Sequence, residues 1–119
     1  GCGAGLDSIL AARRVGPTGK VIGVDMTDAM LDKAQRNAAA VGSSNIEWHL
    51  AEAENVPVAD ATIDVVITNG VFNLCPDKPR VLAELHRVLR PGGRLQMADI
   101  LLHADVTMEE VAKIGAWSD

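Results

Sequence analysis

Short apolar runs and stripes of apolar residues at helical spacing take turns along this chain, starting behind a glycine-rich turn. Leu6, Ile9 and Leu10 follow the turn Gly1-Cys2-Gly3-Ala4-Gly5 and precede the breaker Gly16-Pro17-Thr18-Gly19, which predicts a helix of about ten residues. Val21-Ile22-Gly23-Val24 reads as a short strand that is apolar, and therefore covered, on both faces. Thr27 is placed to cap a second helix in which Met30, Ala34, Ala38 and Val41 share one stripe and Gly42 is the stop. Ile46-Glu47-Trp48-His49-Leu50 alternates apolar with polar, the pattern of a strand with one wet face near a sheet edge. Residues 63–68 are mostly apolar and read as an interior strand. Pro79 opens a third helix with Val81, Leu82, Leu85, Val88 and Leu89 on its apolar stripe, ended by Pro91-Gly92-Gly93. Its wet face carries Lys78, Arg80, Arg87 and Arg90. Another strand over 94–100 follows, and Thr107 with Glu110 fits a capping box that starts a last helix.

Strands alternating with helices imply parallel strands joined by right-handed crossovers, hence an α/β doubly wound, mostly parallel sheet. In such sheets a glycine turn joins the first strand to the first helix, yet here the chain opens inside that turn and without a Met. Residues 1–119 are therefore expected to be one partial domain, an internal segment whose first strand and C-terminal strands lie outside it. The expected consequence is that the first and third strands present keep unpaired edges.

Composition narrows the function classes. Eleven Lys and Arg against sixteen Asp and Glu leave a charge of −5, so the basic surplus that attracts nucleic-acid phosphates is missing. Three aromatic residues, Trp48, Phe72 and Trp117, are too few for a base-stacking platform. No apolar stretch approaches the roughly 20 residues of a membrane span, and no leader-like N-terminus is present, which predicts a cytoplasmic protein without membrane or nucleic-acid partners. Cys2 and Cys75 lie far apart and read as free thiols. His49, His86 and His103 are scattered with no carboxylate or serine at a telling distance, so neither a metal site nor a triad is signalled, and no catalytic residue is identified.

Four segments carry chemistry. Alternating Gly1, Gly3 and Gly5 let the backbone turn tightly and bring its N–H groups near a ligand at a helix N-terminus. The dinucleotide pattern is not completed, because Leu6 stands at the last glycine position. Asp25 ends a strand about twenty residues beyond the loop, where a carboxylate can accept hydrogen bonds from both hydroxyls of a ribose; its alternative is a strand-end turn cap. The segment 51–57 offers acidic side chains and backbone N–H groups suited to an adenine edge, or is a solvated loop. Asn69 and Asn73 follow an apolar strand at the carboxyl end where α/β ligands bind, although Asn73 equally suits a turn.

Taken together, GCGAG, VIGVDMTDAML, AEAENVP, DVVITN and HRVLRPGGRL resemble, in order and spacing, a class I S-adenosylmethionine-dependent methyltransferase. The resemblance covers almost the whole chain. VDMTDAML with ITNGVFNLCPDK most resembles the arsenite methyltransferases, with the quinone C-methyltransferases as near neighbours. It implies S-adenosylmethionine as cofactor and a small-molecule methyl acceptor. It assigns Gly1, Gly3 and Gly5, with Cys2 between them, to the methionine moiety, Asp25 to the ribose, and Met26 to the adenine face. Glu52 and Ala53 take the adenine edge, and Asn69 lies beside the methionine amino group through its backbone; Asn73, from its place after the strand end and not from the resemblance, is the candidate to face the acceptor. Gly70 stands where the arsenite enzymes often have a substrate-binding Cys, and Cys75 is not at an arsenic-binding position of that family. A sulfonium methyl needs only an oriented nucleophile in a dry pocket, and trivalent arsenic needs no general base. The alternatives are methylation of a quinone or other small molecule at carbon, oxygen or nitrogen, and a non-catalytic cofactor-binding module. A nicotinamide-dependent reductase is disfavoured by Leu6.

Overall fold

The computed structural model describes residues 1–107, 109 and 110. Gly5, at φ 89°, turns the chain into α1 (Leu6–Val15), and Gly16 at φ 74° ends it, so the two glycines bound the helix where the sequence placed it. β1 (Val21–Asp25) follows, then α2 (Asp28–Ala40), β2 (Ile46–Leu50), β3 (Ile63–Asn69), a short 3-10 turn (Phe72–Leu74), α3 (Lys78–Val88) and β4 (Leu89–Ala98). The strand pairs are parallel, as the alternation requires: β1 with β2, and β3 with β4.

These pairs form two separate two-stranded sheets, so β1 and β3 each keep one unpaired edge. Val21, Ile22 and Val24 of β1 and Val65, Ile67 and Asn69 of β3 line a single cleft of about 970 Å³. The expectation that β3 is interior is thereby corrected. With β4 as its only strand neighbour among the described residues, it leaves Val65 and Ile67 about half exposed.

Three local expectations are also corrected. The buried face of α2 is Leu31, Ala34 and Ala38: the two alanines lie on the expected stripe, while Met30 and Val41 are exposed and Leu31 is buried in their place. Thr27 occupies the cap position of α2 without a side-chain cap; its own N–H is held by Asp25. Pro91-Gly92-Gly93 lies inside β4 rather than ahead of it. Register runs from Ile63 with Leu89 to Val65 with Arg94, so two steps on β3 face five on β4, and the surplus bulges out at Gly92, φ 79°. The same change places Arg90 in a strand, paired with Asp64, rather than on a helix face.

α3 starts one residue before Pro79 and is capped by Asp77, whose Oδ1 accepts from Arg80 N at 3.1 Å. Its buried stripe is Val81, Leu85 and Val88, of which Val81 and Leu85 pack with Cys75 and with Ala53, Val66, Val71 and Phe72. Thr107 and Glu110 make the reciprocal capping bonds read from the sequence, Glu110 N to Thr107 Oγ1 at 3.3 Å and Thr107 N to Glu110 Oε2 at 2.8 Å. The body of that last helix lies outside the described residues, as does Trp117.

Asn45 ties the first helix to the entry of β2. Its Nδ2 donates to the carbonyls of Ala12, Gly16 and Gly19 at 3.0–3.2 Å, supplying the end of α1 with the partners that helix C-termini lack. Asn45→Ala is expected to lower stability by about 1–2 kcal/mol, read as a fall in the urea midpoint with the denaturant slope unchanged.

Candidate functional site

The glycine turn is built from its own backbone. Gly5 N donates to Cys2 O at 3.0 Å, and Gly1 N and Cys2 N both donate to Val24 O, at 2.7 and 2.8 Å, which lays the turn along the end of β1. Asn37 Nδ2 reaches from α2 to Ala4 O at 2.9 Å. A side chain built at Gly3, φ 53°, would meet nothing within 4 Å, so the turn is open to one side.

Asp25 is where the turn and the strand meet. The residue is 6% exposed; its Oδ2 accepts from Gly3 N at 2.8 Å and its Oδ1 from Thr27 N at 2.9 Å. The carbonyl of the same residue accepts from Ala51 N at 3.0 Å, which sets the segment 51–57 beside it. The fourth segment joins from the other sheet. Asn69 Nδ2 donates to Asp7 Oδ2 at 3.3 Å, and a Cβ at Gly1 would lie 2.5 Å from the Val71 side chain. All four chemically marked segments are thus brought to one region.

The individual residues differ in placement. Gly1, Cys2, Ala53 and Asn69 line the cleft between the sheets, whereas Gly3, Gly5, Asp25, Met26, Glu52 and Asn73 do not. Met26, at 64% exposure, and Glu52 are open to solvent. Asn73 sits in the 3-10 turn, and its backbone N–H is taken by Asp99 Oδ2 at 3.0 Å, so its main chain serves a turn while its side chain is exposed.

Sequence reasoning missed two groups. Asp7, in the first turn of α1, receives Asn69 and adds a carboxylate beside the glycine turn. Arg87, read as solvated, is a hub: Nε and Nη2 donate to Glu84, Nη1 to Val58 O and Asp60, and Nη2 also to Val56 O. The signal for the second was present in the i, i+3 spacing of Glu84 and Arg87. The hydrogen bond from Arg87 holds the Glu84 carboxyl below its ordinary range.

Burial raises both thiols, Cys2 and Cys75, above the ordinary range; the carboxylates of Asp25 and Glu54 respectively add to the effect. Neither thiol is disulfide-bonded. Both are therefore less ionised than a free thiol at pH 8, so iodoacetamide is expected to alkylate them several-fold more slowly than free glutathione, with the rate rising as the pH is raised further, since the thiolate is the nucleophile. Among the described residues no group of three His, Cys, Asp or Glu side chains is placed to hold a metal ion, and no helix is long and apolar enough to cross a membrane.

A family model described as a methyltransferase domain matches residues 1–118. The chain belongs to the methyltransferase domain family. Its fold agrees with that membership: a SAM-dependent methyltransferase from Aquifex aeolicus superimposes with a TM-score of 0.79 at 29% identity, covering 83% of this methyltransferase chain and 53% of that one. By sequence the chain is 50% identical over 119 residues to an arsenite methyltransferase of Halobacterium salinarum, covering 97% of this chain and 30% of that protein. It is 40% identical over 94 residues to a demethylmenaquinone methyltransferase of Symbiobacterium thermophilum, covering 78% and 38%. The methyltransferase chain thus spans about a third of the length of these curated relatives.

The residues suit the cofactor that such a domain implies. Asp25 retains a second lone pair on each oxygen after accepting its two backbone bonds. Glu54 Oε1, within the segment 51–57, is buried with no hydrogen-bond partner among the described residues, leaving an acceptor to be filled. Asp7 and Asp25 place negative charge beside a turn where a sulfonium and an ammonium would lie.

Proposed function

We propose that this chain forms the cofactor-binding part of an S-adenosylmethionine-dependent methyltransferase acting on a small molecule. The observation that carries the reading is the 2.8 Å hydrogen bond from Gly3 N to Asp25 Oδ2, which makes the glycine turn and the strand-end carboxylate one unit. Bound there, the cofactor supplies a methyl group activated by positive sulfur. The chain's own residues bind and orient: the free lone pairs of Asp25 accept the ribose hydroxyls, and the backbone at Gly1, Cys2, Gly3 and Gly5 approaches the methionine part. Met26 lies against the adenine face, while Glu52 and Ala53 take its edge. Asn69 stands beside the amino group, and Asn73 faces the acceptor. Such positioning, rather than acid–base chemistry, accounts for several kcal/mol of a transfer barrier.

Trivalent arsenic is the acceptor this reading favours. Support comes from the 50% identity to an arsenite methyltransferase, and from the chemistry of a nucleophile whose lone pair requires no base. A quinone-type acceptor is the second reading, supported by the similarity to a demethylmenaquinone methyltransferase. Calorimetry with S-adenosylhomocysteine tests the cofactor. Methyl transfer to arsenite with glutathione, run beside demethylmenaquinone, tests the acceptor; turnover of the quinone alone would reject arsenic.

A further inference from the structure

The segment given to the adenine edge leaves the β1–β2 sheet, but its onward course is fixed by a helix of the other sheet. Ala53 packs against the Cys75, Val81 and Leu85 cluster. Arg80 Nε donates to Glu54 O at 3.4 Å, and Val56 N donates to Glu84 Oε1 at 2.8 Å. Arg87 then closes the attachment, with Nη2 on Val56 O at 2.9 Å and Nη1 on Val58 O at 2.8 Å and Asp60 Oδ1 at 2.7 Å. Glu84 holds Arg87 from below at 2.6 and 2.9 Å, and its own side chain is 12% exposed. The guanidinium suits this place because its planar fork donates in several fixed directions at once, which an ammonium on the same stem cannot do.

We infer that Arg87, locked by Glu84, is a positioning residue that sets the segment 52–58 at the height where it reads the edge of the cofactor's base. This rests on the proposed cofactor reading. Arg87 acts through two acceptors of the segment, the carbonyls of residues 56 and 58, and through the carboxylate of Asp60 just beyond it. Loosening it leaves Asp25 and the glycine turn in place, since their bonds run within the other sheet's elements. The effect belongs to base recognition and not to the ribose.

The test compares the affinities of S-adenosylhomocysteine and S-inosylhomocysteine, which differ at the base edge, for the full chain and for Arg87→Met and Arg87→Lys. The wild type is expected to favour adenine by roughly tenfold, the worth of about one hydrogen bond, and both variants to bring the ratio within about twofold. A variant that is merely less stable weakens both ligands by the same factor and keeps the ratio. A preserved ratio in Arg87→Met therefore overturns the inference. If that variant does not fold, a preserved ratio in Arg87→Lys overturns it equally, as does equal binding of the two ligands by the wild type. Failure of the wild type to bind either ligand overturns the cofactor reading instead.

Discussion

Replacing Asp25 by asparagine is expected to weaken S-adenosylhomocysteine binding by at least about a hundredfold, although the substitution barely changes the side chain's shape. Both carboxylate oxygens accept backbone N–H groups, from Gly3 and Thr27. An amide has one acceptor oxygen, so its NH2 would confront one of those donors, and either the glycine turn or the entry to α2 must move. The ribose loses a charged acceptor at the same time, and hydrogen bonds to charged groups contribute roughly 1.5–3 kcal/mol each. A stability loss of about 1–3 kcal/mol accompanies it, from the buried N–H left unpaired. Calorimetry and thermal denaturation read the two effects separately. Asp32→Asn is the comparison, because Asp32 is exposed on α2 and has no part in the proposed site; an Asp25→Asn affinity within threefold of the wild type would remove the basis of the site.

Much of this was legible because it is local. Glycines and a proline bound α1, β1 follows from an unbroken apolar run, and α2 and β2 follow from periodicities of 3.6 and 2 that survive within single elements. The gathering of four segments was legible for a different reason: parallel strands put all their carboxyl ends on one side, so motifs at strand ends must meet. What failed depends on partners distant in sequence. The Pro91-Gly92-Gly93 stretch looks like a terminator until β3 is laid beside it, when five residues against two become a bulge within a strand. Arg87 looks like a solvated charge until residues 56–60 fold back over α3. Thr27 looks like a helix cap and does stand at the N-cap position of α2, but its side chain makes no capping bond, and its N–H serves the Asp25 carboxylate instead.

Gly5→Ala is expected to be far more damaging than Gly3→Ala in the same turn, and the pair separates conformational strain from packing. At φ 89° an L side chain carries a left-handed cost of roughly 1–2 kcal/mol. The added Cβ would also lie 3.0 Å from the Ala34 methyl of α2 and 3.0 Å from the Trp48 ring of β2. Ala34 is fully buried, so α2 has no room to retreat without opening its own packing. Together these give an expected loss of about 2–4 kcal/mol, or a fall in Tm on the order of 10 °C. Gly3→Ala supplies the strain alone, since φ there is 53° and nothing lies within 4 Å, and should lose only the first part. Adding Trp48→Leu to Gly5→Ala relieves one of the two contacts, so the double variant is expected to be more stable than the sum of its single changes predicts, by about 1 kcal/mol. If Gly5→Ala and Gly3→Ala lose the same stability, crowding at Gly5 is not what holds the turn against α2 and β2. The close approach matters for the site because Gly5 N–H and O close the turn onto Cys2 and onto the first turn of α1. A methyl that pushes Gly5 away from Ala34 therefore shifts the same backbone whose Gly3 N–H is bonded to Asp25. Cofactor affinity should consequently fall further in Gly5→Ala than its stability loss alone accounts for.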